Sequence, residues 1–290
     1  MSFNLHSFSA TLGAEVSNID LSQSLPDATI ESLNQAWADH LVLVFRDQSL
    51  TDKGQVRASS YFGICEKAPL PEAVIKGGGH VEMLPEVTVI SNVLKEGEPI
   101  GSLSNLELIW HTDMSYNEVP PNGSALFAIE LPAGGGGETS FLNMYRAYET
   151  LPDALKHKLA GKFAIHDFTY TSAGTLRKGF QEVEDVRNAP GARHPMLRTH
   201  PITGKTALFL GRRTNAYILG LTVEESEELL DAVWSHTENE EFVYTHSWRP
   251  GDLVLWDNRC VMHRREAFEA TDRRIMHRTQ LEGEVPYFSG

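Results

Sequence analysis

The amino-acid sequence predicts a mainly β fold with inserted helices, of the sandwich or barrel class. Short segments rich in strand-forming residues recur along the chain, and turn signals such as Pro250-Gly251-Asp252 separate them. Only a few segments carry a helical pattern. Strands are predicted within residues 3–21 around Gly13, then at 41–45, 87–90, around His111, and at 125–130, 138–142, 196–199, 206–210, 241–246, 252–256 and 273–280.

The first helix is predicted directly after the N-terminal strands. Asp27 is its expected N-cap, and Ile30, Leu33 and Trp37 recur on one stripe of the helix. The apolar run 41–45 comes next. Because this run is too short for most helices and is rich in strand formers, it predicts a strand that is buried on both faces.

Three further helical segments interrupt the strands. Thr51 is expected to cap a helix that ends near Phe62, and other helices are predicted at 143–160 and 222–235. The last of these opens with Thr-Val-Glu-Glu, the pattern of a capping box. Residues 63–85 are rich in proline and glycine and are therefore predicted as a loop.

Length and composition limit the possible architectures. With 290 residues, 41% of them hydrophobic, the chain can bury a substantial core, and no internal linker divides it. We therefore expect one domain over residues 1–290. Residues 166–194 lack a clear periodicity, and a long excursion of this kind in a compact domain predicts a lid.

The net charge of −14 argues against nucleic acid or an anionic membrane as a partner, since both need a basic protein surface. A small molecule is the expected ligand. The two cysteines, Cys65 and Cys260, give no disulfide framework, and neither a signal segment nor an apolar run of about 18 residues is present. We expect a cytoplasmic protein; a homo-oligomer remains open.

A histidine and an aspartate two residues apart provide the first chemical signal. On an extended strand, His111 and Asp113 point to the same face and can share one ion. His263, which follows the predicted strand 252–256, is the candidate for a third ligand. Two histidines and one carboxylate on one side of a metal leave the other positions open, as in non-heme Fe(II) oxygenases. Isolated histidines are more often structural, so the spacing alone is weak evidence.

The arginine-rich run 273–278 provides the second signal. On a strand, Arg274 and Arg278 share one face, one strand after His263. Two buried like charges are costly unless an anion pairs with them, and the guanidinium fork matches a carboxylate. The spacing equally fits two surface arginines that answer nearby acids such as Asp272 and Glu282.

Five motifs follow one another along the chain: Trp110-His111-Thr112-Asp113, Gly136-Gly137-Glu138-Thr139, Arg198-Thr199-His200-Pro201 with Gly204-Lys205, Gly251 to Arg259, and Arg273 to Arg278. In combination they resemble the taurine dioxygenase and 2,4-dichlorophenoxyacetate dioxygenase (TauD/TfdA) family of Fe(II)- and 2-oxoglutarate-dependent oxygenases. The resemblance covers residues from about 10 to 282. It implies a double-stranded β-helix, that is, a cupin-like jelly roll.

The resemblance also implies roles for individual residues. His111, Asp113 and His263 would be the Fe(II) ligands, and Thr139 and Arg274 would hold the distal carboxylate of 2-oxoglutarate. Arg278 matches a family arginine that contacts the cosubstrate or an anionic substrate. The implied reaction consumes O₂ and 2-oxoglutarate, releases succinate and CO₂, and hydroxylates a substrate C–H bond.

Five further positions concern the substrate or the scaffold. His80 lies near a substrate-contacting histidine of the family, and His200 matches a family position that can equally be structural. Glu107 stands where taurine dioxygenase has an asparagine, and its carboxylate would repel a sulfonate, which argues against taurine. Arg212 and Arg213 replace an aromatic substrate contact and could bind an anion, although a solvated pair is the simpler interpretation.

Two alternatives remain at this point. A Zn or Mn cupin-type hydrolase or isomerase could use the same three ligands without O₂, but it would not need the anion clamp of Thr139 and Arg274. A non-enzymatic, ligand-binding sandwich could bury the same histidines as packing residues.

Overall fold

The computed structural model describes residues 3–9, 12–67, 84–101, 105–106 and 108–290. The predicted mainly β fold with inserted helices is confirmed. The strands are β1 (Asn4–Ser7), β2 (Ala14–Ser17), β3 (Val42–Phe45), β4 (Thr88–Ser91), β5 (Leu94–Lys95), β6 (Glu98–Pro99), β7 (Leu108–His111), β8 (Gly123–Glu130), β9 (Thr139–Asn143), β10 (Phe163–Asp167), β11 (Gly191–Pro195), β12 (Leu197–Thr199), β13 (Thr206–Leu208), β14 (Tyr217–Ile218), β15 (Val243–His246), β16 (Leu253–Asp257), β17 (Val261–Arg265) and β18 (Ile275–Leu281).

The described helices lie between these strands. They are α1 (Asp27–His40), α2 (Asp52–Ser60), α3 (Met144–Glu149), α4 (Asp153–Leu159) and α5 (Val223–Thr237), with short 3₁₀ turns at Val186–Asn188 and Glu240–Phe242. Within the described residues, no helix is both long and apolar enough to cross a lipid bilayer.

Two sheets build the jelly roll. The larger has the order β1-β2-β3-β16-β8-β18-β4, and the smaller has the order β15-β9-β17-β7. One apolar cluster joins them: Phe141 of the smaller sheet packs in the same cluster as Leu126 and Val254 of the larger. The double-stranded β-helix that the resemblance implied is therefore confirmed.

The continuous apolar run of β3 is explained by burial on both faces. Val42 and Val44 belong to the cluster between the two sheets, whereas Leu43 and Phe45 belong to a second cluster that also contains Leu33 of α1. Successive strand residues point to opposite faces, so a strand covered on both sides needs apolar residues at every position. The predicted fully buried strand is confirmed.

The helix starts test three capping predictions. Thr51 and Thr222 accept hydrogen bonds from the N–H groups of Gly54 and Glu225, as predicted. Asp27 as an N-cap was wrong: Pro26 is the N-cap, and Asp27 lies in the first turn of α1. A carboxylate in the first turn still stabilises the helix, because it faces the positive end of the helix dipole.

Two segments differ from the sequence prediction. The helix expected at 143–160 is interrupted, because Pro152 precedes a separate second helix, α4. The excursion expected at 166–194 is shorter: its first residues complete β10 and its last residues form most of β11. We call the remaining residues, 168–190, the excursion segment.

A tight turn after β16 carries the chain from the larger sheet into the smaller one. At its start, the buried Asp257 accepts two hydrogen bonds from the Arg259 guanidinium, at 2.8 and 2.7 Å, and one from His200 Nε2 at 3.0 Å. Burial opposes ionisation of Asp257, but Arg259 outweighs it and holds the pKa below its usual range. This ion pair therefore fixes the turn that leads into β17.

We expect Asp257→Ala to destabilise the fold strongly. The variant leaves the Arg259 guanidinium, which is 4% exposed, without its carboxylate, and breaking a buried pair in this way costs about 3–5 kcal/mol. Urea unfolding measures the loss. Asp185→Ala is the control, because its ion pair with Arg187 lies at the surface and should contribute little. Equal unfolding free energies for the two variants would contradict this role of Asp257.

Candidate metal centre

Strand pairing brings the two histidines of the predicted triad together. His263 of β17 and His111 of β7 are directly opposite partners in the smaller sheet. The chain turns sharply just beyond β7, where Met114 adopts a left-handed conformation with φ of 48°. Asp113 lies within this turn and not on the strand, and both histidines and the carboxylate are more than 90% buried.

The three side chains surround a common point. The Nε2 atoms of His111 and His263 each lie 3.9 Å from Asp113 Oδ1. These distances are too long for hydrogen bonds, and one ligand atom from each residue lies within 4.8 Å of the other two. The arrangement leaves space for one ion, so the side chains fit a metal.

The hydrogen bonds and charges favour the metal-binding protonation states. His111 Nδ1 lies 2.8 Å from the carbonyl of Ile109, which assigns the proton to Nδ1 and leaves the Nε2 lone pair facing the carboxylate. Burial lowers the pKa of both histidines. Burial raises the pKa of Asp113, but the charges of Arg278 and the histidines outweigh it and lower the pKa overall. Neutral imidazoles beside a carboxylate are what a divalent ion requires.

A buried hydrogen-bond chain orients the carboxylate. Ser124 donates to Asp113 Oδ2 at 2.7 Å, and the Asn258 amide donates to Ser124 at 3.0 Å. The Trp256 indole donates to Asn258 at 2.9 Å. Ser124 was not among the predicted site residues, because a serine on a buried strand gives no local signal. Asn258, in contrast, lies within the motif Gly251 to Arg259.

The metal centre opens into a cavity of about 440 Å³. Its lining is unusual for a protein with a net charge of −14, because the described residues that form it include five arginines and one carboxylate, that of Asp113. The arginines are Arg177, Arg212, Arg265, Arg274 and Arg278. Excess positive charge in a partly enclosed space predicts an anionic ligand.

Arg274 lies deepest among these side chains. It is 1% exposed, and its Nε and Nη2 atoms have no hydrogen-bond partner among the described residues. Burial and the neighbouring charge of Arg265 lower its pKa to about 9. Thr139 lines the same cavity, and its hydroxyl accepts a hydrogen bond from the Trp248 indole at 3.0 Å. Donors aimed into a cavity without acceptors fit a ligand carboxylate.

The glycine run before β9 allows this end of the cavity to form. A Cβ on Gly137 would lie 3.5 Å from Arg274 Nε, and a Cβ on Gly136 would lie 2.8 Å from the carbonyl of Ala267. Both glycines have a φ near +80°, at +75° and +85°, where other residues are strained. The glycine run therefore turns beside Arg274, at the arginine-rich end of the cavity.

Arg278 and Arg265 flank this region. Arg278 Nη1 donates to Asp113 Oδ1 at 3.3 Å, so in this structure its charge is shared with the triad. Arg265 is 3% exposed, lies over the Phe268 ring and donates to the carbonyl of Leu106. Arg265 was not among the predicted site residues, although it lies two residues after His263 on β17 and therefore shares its face of the strand.

The structure separates the two adjacent arginines of the 212–213 pair. Arg212 is 5% exposed and lines the cavity. Arg213 points away and pairs with Glu227 and Asp231 of α5 at 2.5 and 2.6 Å. The solvated-pair interpretation therefore describes Arg213 only.

Two other candidate substrate residues, His80 and Glu107, lie outside the described residues. His200 is not among the described residues that line the cavity. Its Nδ1 accepts hydrogen bonds from the N–H groups of Ile202 and Thr203, both at 3.2 Å, and its Nε2 donates to Asp257. Both ring nitrogens are thus occupied, so the cluster of His200, Asp257 and Cys260 does not offer the ring to a metal.

The family comparison covers almost the whole chain. The family model "Taurine catabolism dioxygenase TauD, TfdA family" matches residues 4–280. The alpha-ketoglutarate-dependent 2,4-dichlorophenoxyacetate dioxygenase of Cupriavidus pinatubonensis is 34% identical, with 94% of this chain and 95% of that protein covered. Pentalenolactone F synthase of Streptomyces avermitilis is 32% identical, with 93% and 90% covered.

A solved structure shares the fold. The structure of AAD-2 in complex with Mn(II) and N-oxalylglycine matches with a TM-score of 0.79 and 28% identity, and 99% of this chain and 100% of that chain are covered. The chain therefore belongs to the TauD, TfdA family, and it is a 2-oxoglutarate (alpha-ketoglutarate)-dependent dioxygenase.

Proposed function

We propose that the triad of His111, Asp113 and His263 holds Fe(II), that Arg274 and Thr139 hold the distal carboxylate of 2-oxoglutarate, and that the enzyme hydroxylates an unactivated C–H bond of a small anionic molecule. The products would be the hydroxylated substrate, succinate and CO₂. If the hydroxylated carbon bears a leaving group, the same reaction ends in its release.

One observation carries this proposal: a buried, unpaired arginine lies in the same cavity as a two-histidine, one-carboxylate cluster. A cation that is 1% exposed with two unsatisfied N–H groups is costly unless a ligand supplies the anion. A hydrolase or isomerase that used the three ligands alone would have no need for it. The name of the Cupriavidus relative, which is alpha-ketoglutarate-dependent, supports the same ligand here.

The donor set supports iron as the metal. Two imidazoles and one carboxylate on one side of an ion are typical of non-heme Fe(II) oxygenases, because they leave several coordination positions free. The related AAD-2 structure contains Mn(II), which supports a divalent ion at this position of the fold. When bound, the iron and 2-oxoglutarate supply the oxygen chemistry that protein side chains lack.

The side chains of this protein would contribute orientation and exclusion of water. Ser124 and Asn258 hold the Asp113 carboxylate in one orientation, and Arg274 defines which end of a dicarboxylate lies away from the metal. Trp256 and Leu126 line the intervening wall with apolar surface. A dry wall keeps bulk water from the reacting C–H bond and strengthens the ion pairs beside it.

We also propose that the chain acts as one domain, with the excursion segment as a lid. Strands from both ends of the sequence belong to the same seven-stranded sheet. The first part of the chain contributes β1, β2 and β3, and the last part contributes β16 and β18. Residues 171–173 and 175 of the excursion segment line the cavity, and Ser172 accepts a hydrogen bond from the N–H of Ile109 on β7 at 2.9 Å.

The charge of the cavity supports an anionic substrate. We assign Arg274 to 2-oxoglutarate, and Asp113 partly neutralises Arg278. The positive charges of the other arginines in the lining then remain: Arg177, Arg212 and Arg265. The Cupriavidus relative acts on 2,4-dichlorophenoxyacetate, a small carboxylate. We therefore propose a small anion as the substrate class of this enzyme.

The metal proposal predicts a spectroscopic change. Anaerobic protein that receives Fe(II) and then 2-oxoglutarate should develop a visible charge-transfer absorption band, and His263→Ala should abolish it because one ligand is lost. His157→Ala, at an exposed histidine of α4, should keep the band. Folded wild-type protein that binds both components without a band would rule out this coordination.

The cosubstrate proposal predicts a selective effect of Arg274→Gln. Loss of a buried charge partner should raise KM for 2-oxoglutarate about 30-fold or more. Without 2-oxoglutarate, the variant should be as stable as the wild type or more stable, because it no longer buries an unpaired charge. Arg273→Gln is the matched control, since that side chain is exposed and pairs with Glu130. Equal KM values for both variants would contradict the assignment.

The hydrogen-bond chain behind Asp113 predicts a loss of metal affinity. Ser124→Ala should weaken Fe(II) binding by about 10- to 100-fold, because the carboxylate loses the donor that orients it. Ser140→Ala removes a buried serine whose partner is Thr245, and it should leave metal affinity unchanged. Titration of each protein with Fe(II) under argon measures the difference; unaltered affinity in Ser124→Ala would show that the chain is not needed.

A further inference from the structure

We infer that Arg212 and Arg177 form the site that binds the anionic group of the substrate, beside the ring of Tyr116. This inference rests on the proposed function and deepens it, because it assigns the recognition of the substrate anion to a pair of residues other than Arg278. The substrate class that follows is a small molecule with one carboxylate or sulfate group and an apolar body.

The two arginines come from different parts of the chain and meet at one aromatic ring. Arg212 follows β13, and its guanidinium carbon lies 5.4 Å from the centre of the Tyr116 ring. Arg177 belongs to the excursion segment and lies 5.0 Å from the same ring and 4.5 Å from the Phe168 ring. All three cavity residues, Tyr116, Arg177 and Arg212, border the space that contains the metal triad.

Backbone contacts hold this arrangement in place. The Arg212 Nη1 atom donates to the carbonyl of Tyr170 at 2.5 Å, which links the start of the excursion segment to the residue after Gly211. The N–H of Arg177 donates to the carbonyl of Thr169 at 2.9 Å. The carbonyl of Tyr116 accepts a hydrogen bond from Ala192 at 2.9 Å. The Arg212 guanidinium is therefore held in place before any ligand arrives, and the backbone positions of Arg177 and Tyr116 are fixed beside it.

Neither arginine has an acid to balance it. Among the described residues, no carboxylate lies within ion-pair distance of Arg177 or Arg212, whereas Arg213 has two acidic partners and Arg278 has Asp113. Burial, followed by the charge of Arg177, lowers the pKa of Arg212. Two like charges beside each other, one of them 5% exposed, are costly until an anion joins them.

The position of the pair defines how a substrate would lie. Tyr116 is three residues beyond the metal ligand Asp113, so an anion at the pair lies on the wall adjoining the triad. Arg274 is assigned to 2-oxoglutarate, so a second anion at this wall would not compete with the cosubstrate. The apolar residues Leu108, Met114 and Ile90 also line the cavity. They would contact the apolar body of the substrate, which carries the reacting C–H bond.

Binding of paired probes tests the inference. Anaerobic protein loaded with Fe(II) and 2-oxoglutarate is titrated calorimetrically with hexyl sulfate and phenoxyacetate, and with the uncharged 1-hexanol and phenoxyacetamide. Arg212→Gln should weaken binding of at least one anion about 30-fold or more, and Arg177→Gln, at a half-buried position, about 10-fold. The uncharged probes should bind the wild type and both variants equally.

Arg213→Gln is the matched control, because it removes the adjacent arginine, which is already paired on the surface. Equal affinity of wild type and Arg212→Gln for both anions, including no binding by either, overturns the inference. Loss of anion binding in Arg278→Gln, with no loss in Arg212→Gln, also overturns the inference. The 2-oxoglutarate absorption band is recorded in every sample: if it is missing from the wild type, the proposed function fails, and if it is present, only the inference is at issue.

Discussion

The pairing of β17 with its two neighbours is the constraint on which the site depends. On one side, His263 lies opposite His111 of β7; on the other, Arg265 lies opposite Thr139 of β9. Because strand side chains alternate, a shift of one residue would turn His263 to the far side of the sheet and separate it from Asp113. One strand register therefore sets both the proposed metal ligands and the arginine-rich end of the cavity.

Electrostatics explain how an acidic protein can hold acidic ligands. The chain has a net charge of −14, yet the described part of the cavity lining contains five arginines and a single carboxylate. Low-dielectric walls focus this local field, so small anions can be concentrated in the cavity although the rest of the surface repels them. Arg274 is buried without a hydrogen-bond partner for two of its nitrogens among the described residues, a cost that a ligand carboxylate would offset.

The sequence predicted those features that depend on local periodicity. Strand spacing predicted one shared face for His111 and Asp113 and another for Arg274 and Arg278, and the structure brings all four side chains to one cavity. Asp113, however, lies in the turn beyond β7, and Arg274 lies just before β18, so the strand assumption was wrong for these two residues. The β3 run was predicted correctly for the same reason, since its alternate residues pack into two different apolar clusters.

Features that depend on distant pairing could not be predicted in this way. Ser124 supports Asp113 only because β8 lies beside β16, where Ser124 and Trp256 are partners. Arg177 has no local pattern at all and reaches the cavity through the folding of the excursion segment. The N-cap of α1 was also predicted one residue too late. Pro26 has the extended backbone of an N-cap residue, and Asp27 is already the first residue of the helix.

The chain of hydrogen bonds from Trp256 through Asn258 and Ser124 to Asp113 has a consequence for how this enzyme can diversify. Trp256 forms part of the cavity wall, so reshaping that wall for a new substrate would also disturb a proposed metal ligand. The excursion segment contacts the strand of His111 through backbone atoms instead: the N–H of Ile109, whose carbonyl lies 2.8 Å from His111 Nδ1, donates to the carbonyl of Ser172. That contact does not depend on which side chains the segment carries. Substrate range can therefore drift on that side during evolution while the oxygen chemistry is preserved.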